Sequence, residues 1–520
     1  MYTKLPFCFI NFQDRGGCRL NLEYLLEGLS YECLKGHLDV EITGIQTDSR
    51  SIGAGDLFIA LEGSTTDGHR YLSQAASQGA IAALVEKPKE GLNIDLESSV
   101  FQCVVHVHDL SRSLARLGSR FYENPSEAMT VVGITGTNGK TSVAQMLADA
   151  LESQGKRVGV FGTIGNRIGD LTFETQNTTL EPVALQRLFR AAVDAGASHL
   201  IMEVSSHGLE LGRVDHTQFK CAVFTNLTED HLDFHGDMES YFQAKLRLFE
   251  MNQGTSVVNW EDAYGKRLVE RLRASGKPVL TYGLSGECDF RAEGISWTPL
   301  GTEFTLKMPE AESKVCVPGL GRIQVFNTLA VFATLSVLGF ETDAVIRSSG
   351  SLKAVPGRME RIEGLWPFDV FVDFAHTPDA LRNVLEIARE MTRGKLHVLF
   401  GCGGDRDRMK RPVMGRLAAT LADVVYLTSD NPRSETPESI LTEILSGIPE
   451  ALMNKVFVET DRRIAIQSAI HQLERGDILI LAGKGHEPYQ IIGSTKHHFD
   501  DREEALEALN ISVASKNATI

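Results

Sequence analysis

Residues 133–142, GITGTNGKTS, hold the densest concentration of chemistry in this chain. A phosphate-binding loop of the form G-x-x-x-x-G-K-[ST] asks for glycine where Ile134 stands, so the strict pattern fails at one position. Its working parts are present. Gly136 and Gly139 let backbone N–H groups approach phosphate oxygens, Lys140 can reach the β/γ-phosphates, and Thr141 can ligate Mg2+. A glycine-rich turn with a chance GKT is the alternative. The strand-like TVVGIT before the loop and the helical pattern after it favour nucleotide binding, with the helix N-terminus adding its dipole.

Two further clusters follow apolar runs. MEVSSHGL (202–209) and TNLTEDHLDFH (225–235) each set carboxylates, hydroxyls and imidazoles beyond a predicted strand. Glu203 and His231 could share one Mg2+ beside the phosphates, because that ion takes hard ligands and keeps several waters. Each histidine alone is more often a hydrogen-bonded structural residue, but two such clusters after neighbouring strands of a nucleotide domain favour function. Lys245, in SYFQAKLRLFE, falls on an amphipathic helix striped by Phe242, Leu246 and Phe249, and on its own residues reads as a surface lysine. FVDFAHTPDAL (371–381), GCGGDRDRMKRP (401–412) and AGKGHEPYQ (482–490) also follow strand-like runs, the second being dense in cations suited to carboxylate or phosphate. TSDNPRSET (428–436) combines Asx-Pro turn chemistry with Arg433 between Asp430 and Glu435, either a plain turn or a loop that reads a charged ligand.

The elements that must position these groups form three blocks. Short strands (40–47, 57–61, 80–85, 103–107) and helices (71–78, 110–121) fill residues 20–127, and the Pro-containing ENPSEAM reads as a linker. From Thr130 strands at 130–135, 156–163, 199–204, 221–226 and 255–259 alternate with helices, which predicts a mainly parallel sheet covered on both faces. The alternation restarts near 353–364, with strands in FDVFVDFAH, KLHVLFGCGG, DVVYLTSD and DILILAGKG and a helix over 377–391. In open α/β sheets ligands gather beyond the carboxyl ends of the strands, where 430–433 falls.

A chain of 520 residues suggests roughly three domains. Hydrophobic content of 42% and mean hydropathy of −0.09 are those of a soluble globular protein. With 52 Lys+Arg against 68 Asp+Glu, the net charge of −16 argues against a nucleic-acid or membrane-surface role. The eight scattered cysteines, without C-x-x-C, read as buried reduced thiols. No apolar run reaches the ~18–20 residues of a membrane span. The opening MYTKLPFCFINFQDRGGC is a poor signal peptide and reads as a loose extension, so a cytoplasmic chain is expected.

Taken together, GTNGKTS, NTT, EVSSHGL, DHLDFH, YFQAK, PGRME, DFAHTPDAL, GCGGDRD, DNPR and GKGHE, in this order from about residue 20 to 503, resemble the Mur ligase family, most nearly its diaminopimelate-adding branch. The resemblance implies an α/β chain of three domains after an extension over 1–19. These are an N-terminal UDP-sugar-binding domain (20–127), a central P-loop ATPase-type parallel-sheet domain (128–354) and a C-terminal Rossmann-like amino-acid-binding domain (355–510). It implies ATP-dependent activation of a D-glutamyl carboxylate as an acyl phosphate, attacked by the amine of the incoming amino acid, with Mg2+ as cofactor. It implies small-molecule substrates (UDP-MurNAc-dipeptide, meso-diaminopimelate, ATP) and a monomer.

Carried over residue by residue, the resemblance assigns Gly136, Thr137, Asn138, Gly139, Lys140, Thr141 and Ser142 to the triphosphate. Asn327 and Asp373 would meet adenine and ribose, and His376 would lie near the phosphates. Thr141, Glu203 and His231 would ligate Mg2+, joined by Lys245 if carbamylated; Lys140, His231 and Lys245 form the catalytic set. Thr47, Ser49, Ser64, Thr65, Thr66, Asn177, Thr178, Thr179, Ser205 and Arg213 would hold the UDP-MurNAc-dipeptide. Arg406, Asp430, Asn431, Pro432, Arg433, Gly483 and Glu487 would hold diaminopimelate. Leu211 departs from the family, standing where some members have a substrate-touching Gln, and the extension before residue 20 is unmatched. A lysine-adding sister ligase, a folylpolyglutamate synthetase and a silent nucleotide-binding module are the competing readings. Arg433 speaks against the first, the sugar-domain block against the second, and intact Lys140, Thr141, Glu203, His231 and Lys245 against the third.

Overall fold

The computed structural model describes residues 3–5, 19–63, 66–88, 92, 96, 99–173, 175, 177–298 and 301–517. Three α/β units follow one another, each around its own sheet. In the first, five strands run in the order Tyr31–Gly36, Cys103–Val107, Ala82–Val85, Asp56–Ala60, Gly44–Gln46, all parallel except the first pairing. The strands Asp56–Ala60, Ala82–Val85 and Cys103–Val107 are buried along their whole length, as continuous apolar runs between helices should be. Tyr31–Gly36 escapes a sequence reading because it is largely exposed and shows no alternation.

The central sheet is built around the strand Thr130–Thr135, which lies between His199–Glu203 and Phe219–Phe224, both parallel to it. Val158–Gly162 extends the sheet on one side, Thr255–Asn259 and Val279–Gly283 on the other. One face buries Val143, Leu147 and Leu151 of the helix Lys140–Ser153 with Leu329 and Phe332 of Arg322–Val337. The opposite face buries Leu185 and Phe189 of Pro182–Asp194 with Phe242 and Phe249 of Met238–Met251. Two additions differ from the expected parallel alternation. An antiparallel meander, Phe290–Thr298, Gly301–Lys307 and Glu312–Val317, closes one edge. At the other edge Gly165–Ile168 and Leu171–Phe173 fold back, and Thr3–Leu5, expected to be loose, pairs with Leu171–Phe173.

The third sheet runs Glu360–Arg361, Asp369–Asp373, Ile478–Ala482, Leu396–Phe400, Val424–Leu427, Val456–Val458, parallel after the first pairing. The hairpin Tyr489–Ile492 with Thr495–His498 projects beyond it. Beneath it Arg462, fully buried, donates from Nε and Nη2 to Asp501 at 2.8 and 2.6 Å and from Nη2 to the Ala482 carbonyl at 3.0 Å. Asp501→Ala would strand that guanidinium in the core. We expect it to destabilise the C-terminal unit by about 3–5 kcal/mol, measurable by denaturant unfolding.

Cys103, Cys221, Cys288 and Cys402 are buried free thiols, but Cys33 and Cys316 are exposed, correcting the expectation of uniform burial. Among the described residues no helix is long and apolar enough to cross a membrane.

Candidate active site

The glycine-rich loop leaves the buried strand Thr130–Thr135 and enters the helix Lys140–Ser153. Ile134, the departure from the strict pattern, is fully buried in that strand and accepts from Val204 N at 2.8 Å; the loop proper begins at Gly136. Gly136 has φ 151° and Gly139 φ 89°, and a Cβ on Gly136 would sit 1.9 Å from Thr225 Oγ1. The loop is cross-tied to the neighbouring strand's end. Thr225 Oγ1 donates to the Asn138 carbonyl at 2.6 Å, Asn138 N donates to Asn226 Oδ1 at 2.9 Å, and Thr137 N donates to the Asn226 carbonyl at 2.9 Å. Lys140 Nζ folds over the loop onto the carbonyls of Gly136 and Thr137, at 2.8 and 2.9 Å. Burial lowers its pKa, against Glu203 and Asp230, which raise it. A Cβ on Gly139 would meet Asn327 Oδ1 at 2.8 Å, which brings Asn327 against the loop. Ser142 is buried in the first turn of the helix.

Glu203, at the carboxyl end of the adjacent strand, is buried and directed at this loop. Its carboxylate accepts from Thr141 Oγ1 at 2.9 Å, Thr163 N at 2.9 Å and Thr163 Oγ1 at 3.0 Å. Among the described residues no group of three or more His, Cys, Asp or Glu gathers as a preformed metal cage. An anionic oxygen ligand beside a phosphate loop nonetheless suits Mg2+, which is held by one or two carboxylates together with phosphate oxygens and water. His231 is half-exposed, has φ 54°, and lies 3.4 Å from Asp230 Oδ2. Desolvation lowers the pKa of its imidazole, against Asp230, which raises it, so the neutral ring with a lone pair is favoured.

Lys245 corrects the surface assignment: it is 1% exposed. Its Nζ donates to the Gly136 carbonyl at 2.9 Å and lies 4.6 Å from the Tyr241 ring centroid. Burial, then the neighbouring Lys140, hold its pKa well below the ordinary value.

Hydroxyls lead away from Glu203. Thr163 Oγ1 bonds Thr178 Oγ1 at 3.1 Å, and Thr179 Oγ1 bonds Ser205 Oγ at 3.1 Å and donates to the Glu203 carbonyl at 3.1 Å. Arg213 donates to the Thr179 carbonyl at 3.0 Å and pairs with Glu181 at 2.5 Å. Beyond them a cleft of about 1460 Å³ opens between the first two units, lined by Thr47, Ser49, Thr66 and Asn177 among others. Ser64 and Thr65 lie outside the described residues. Leu211 is exposed.

The third unit contacts the central one at this loop, where Asn138 Nδ2 donates to Asp379 Oδ2 at 3.2 Å, and at the meander, where Trp297 Nε1 donates to Glu390 Oε2 at 3.2 Å. Asp373 is buried, accepts from Met359 N at 2.7 Å, and has its pKa raised by burial. His376, held by the Phe374 carbonyl at 2.9 Å, is pushed down to about 4 by burial and then by Lys410.

Beyond the carboxyl ends of Leu396–Phe400, Val424–Leu427 and Ile478–Ala482, the predicted charged cluster assembles. Arg433 has φ 52°, and its Nη1 donates to the Gly404 carbonyl at 2.7 Å. A Cβ on Gly403 would touch both Arg433 Nη1 (2.9 Å) and Arg406 Cγ (3.6 Å). Asn431 Nδ2 donates to Glu487 Oε2 at 2.9 Å, and Ile491 N donates to Asn431 Oδ1 at 2.9 Å. Gly483, φ 110°, lets Asp430 Oδ2 come within 2.5 Å of where a side chain would start, and the Pro432 carbonyl packs on Gly404 in the same way. Burial, then Asp430, raise the Glu487 carboxyl; burial, then Arg406, lower Arg433. Fully buried Arg411 clamps Glu435 through two 2.8 Å bonds and ties it to the loop by donating to the Gly403 carbonyl at 3.1 Å.

Several residues here carry no role in the sequence reading. Arg358 stacks 4.7 Å from the Phe374 ring and acts electrostatically on Lys140. Lys410 lies near Asp230 and His376, and Thr163 holds Glu203. PGRME and the run of cations through Lys410 were visible as motifs; Thr163 left no signal.

Models of the Mur ligase family match in succession: the catalytic domain over residues 41–122, the middle domain over 134–335 and the glutamate ligase domain over 357–485. The chain is 40% identical to UDP-N-acetylmuramoyl-L-alanyl-D-glutamate--2,6-diaminopimelate ligase of Clostridioides difficile (strain 630), across 94% of this chain and 100% of that one. Identity to the protein of the same name from Gloeobacter violaceus is 43%, across 91% and 94%. A solved structure of a UDP-N-acetylmuramoyl-L-alanyl-D-glutamate--2,6-diaminopimelate ligase superposes with a TM-score of 0.65 at 32% identity, covering 95% of this chain and 99% of that one. With relatives at this identity aligned over more than nine-tenths of both chains, the chain belongs to the Mur ligase family.

Proposed function

We propose that this protein is an ATP-dependent ligase that adds meso-2,6-diaminopimelate to the D-glutamyl γ-carboxylate of UDP-MurNAc-L-Ala-D-Glu, acting as a cytoplasmic monomer in peptidoglycan precursor synthesis. The observation that carries the choice of amino acid is the cluster at 430–433. Two guanidiniums, Arg406 and Arg433, meet Asp430 and Glu487 at one sheet end, a receptor for a group bearing both ammonium and carboxylate. The curated relatives named above carry the same substrate in their names.

A carboxylate is a poor electrophile, and phosphorylation gives it a leaving group. The loop 136–142 holds the triphosphate, with Asn327, Asp373 and His376 closing round the nucleotide, while Lys140 offsets charge on the transferring phosphoryl group. Thr141, Glu203, His231 and a carbamylated Lys245 would hold Mg2+, which would supply further charge neutralisation there. Thr47, Ser49, Thr66, Asn177, Thr178, Thr179, Ser205 and Arg213 run from the cleft toward Glu203, a path that suits a long nucleotide-linked substrate with its carboxylate at the phosphate end. The amine of diaminopimelate then attacks the acyl phosphate, and phosphate leaves the tetrahedral intermediate. The Asn138–Asp379 hydrogen bond ties the third unit to the loop, and closure there would keep water from the acyl phosphate.

The decisive measurement is phosphate release from ATP with UDP-MurNAc-L-Ala-D-Glu, comparing meso-diaminopimelate with L-lysine. Release with diaminopimelate is expected; preference for lysine would assign the sister chemistry, and no release with either would sink the ligase reading. Gly136→Ala, which forces a Cβ into Thr225, is expected to weaken ADP binding roughly 10- to 100-fold by calorimetry.

A further inference from the structure

The large cleft is lined almost entirely by residues of the first two units, with one exception: Lys496. It stands on the return strand Thr495–His498 of the C-terminal hairpin, reaching in from the unit that carries the charged amino-acid cluster. Its side chain is exposed, with the ammonium 4.3 Å from the Tyr489 ring centroid. Among the described residues no carboxylate pairs with it. The acids lining the cleft are engaged elsewhere. Asp48 is held by Arg50 at 2.7 Å, Glu181 by Arg213 at 2.5 Å, and buried Asp56 accepts from Gly53 N at 2.8 Å. A free ammonium facing a cleft whose own carboxylates are occupied is arranged for an incoming anion.

We propose that Lys496 is a binding residue for the UDP-linked substrate, contributed across the cleft, and that its ammonium meets an anionic oxygen of that substrate, on the diphosphate or on the dipeptide. This rests on the reading of the cleft as the nucleotide-sugar site. The hairpin joins two sites. Its first strand is locked to the amino-acid loop, because Arg433 N donates to the Ile491 carbonyl at 3.1 Å, Gly493 N donates to the Arg433 carbonyl at 2.8 Å, and Gln490 Nε2 donates to the Asp430 carbonyl at 2.7 Å. Its second strand delivers Lys496. Occupation of the cleft therefore holds the same hairpin that braces Arg433, so the nucleotide substrate helps to keep the third unit closed over the reaction.

The test uses the full-length enzyme with Lys496→Met, which keeps an apolar stem against Tyr489, and Lys496→Arg, which keeps the charge. Lys496→Met should raise the KM for UDP-MurNAc-L-Ala-D-Glu about tenfold, leave those for diaminopimelate and ATP within about twofold, and flatten the salt dependence of the first; Lys496→Arg should restore most of the loss. Calorimetry with UDP alone locates the anion: weakened UDP binding assigns the diphosphate, and a loss confined to the full precursor assigns the dipeptide carboxylate. An unchanged KM for the precursor, or an equal rise for diaminopimelate, overturns the proposal. If Ser49→Ala weakens precursor binding while Lys496→Met does not, the cleft reading stands and this proposal fails. If the wild type binds no precursor, both fail.

Discussion

Replacing Lys245 by methionine is expected to lower kcat about a thousandfold while leaving the fold intact. The lysine is buried, bonded to the Gly136 carbonyl and close to Lys140, and burial together with that neighbouring charge shifts it toward the neutral amine. The neutral amine that results is the nucleophile a carbamate requires, and a carbamate would place anionic oxygens opposite Lys140, where a second Mg2+ could bind. Methionine fills the space and supplies neither charge nor oxygen. Stability moves the other way. The unfolded chain keeps a proton on this amine up to about pH 10.5, whereas the folded chain releases it lower, so this site's contribution to stability rises with pH through the window below 10.5. Methionine removes that slope. The variant should match or exceed the wild-type Tm near pH 6, with the advantage shrinking as pH rises toward about 10.5. A kcat within tenfold of wild type would sink the metal-ligand role, and 13C-labelled bicarbonate gives an independent readout of the carbamate.

Arg433→Ala is expected to raise the KM for diaminopimelate roughly 100-fold and leave that for UDP-MurNAc-L-Ala-D-Glu nearly unchanged. In the proposed binding mode, removing this guanidinium would leave the distal carboxylate of the amino acid facing Asp430 and Glu487 with only Arg406 to oppose them. Arg433 has φ 52°, a left-handed backbone whose cost arginine and alanine share, so Arg433→Asn is the second variant: asparagine tolerates that conformation better and removes the charge equally. Both variants should show the same selective rise. Equal loss on both substrates would sink the assigned role.

Much of this was legible before any coordinates. Continuous apolar runs ending in polar turns placed Thr130–Thr135 and Thr255–Asn259 to the residue, because a strand buried on both faces leaves no other pattern. The meander Phe290–Val317 was missed because its strands are short-looped and partly exposed, so apolar residues are diluted by Glu293, Glu303 and Lys314. Lys245 was misread as a surface residue because the stripe was drawn through Phe242, Leu246 and Phe249 and its charge set it outside; its spacing of three and four from Phe242 and Phe249 puts it on the same buried face. Arg358 and Lys410 were visible but roleless. Their meaning lies in proximity to Lys140 and Asp230, residues far away in the chain, and no local pattern encodes such pairings.

The loop carrying Arg433 has an evolutionary consequence. Its shape is held by the backbone of Arg433 against the hairpin, by Asn431, and by the Arg411–Glu435 clamp; the side chain at 433 contributes a single bond to a carbonyl. If Arg433 reads the amino acid as proposed, scaffold and reader are separable. A lineage that changed the diamino acid of its cell wall could exchange the reader at one codon and inherit the scaffold, and asparagine or glycine would be the replacements its left-handed backbone admits with least strain.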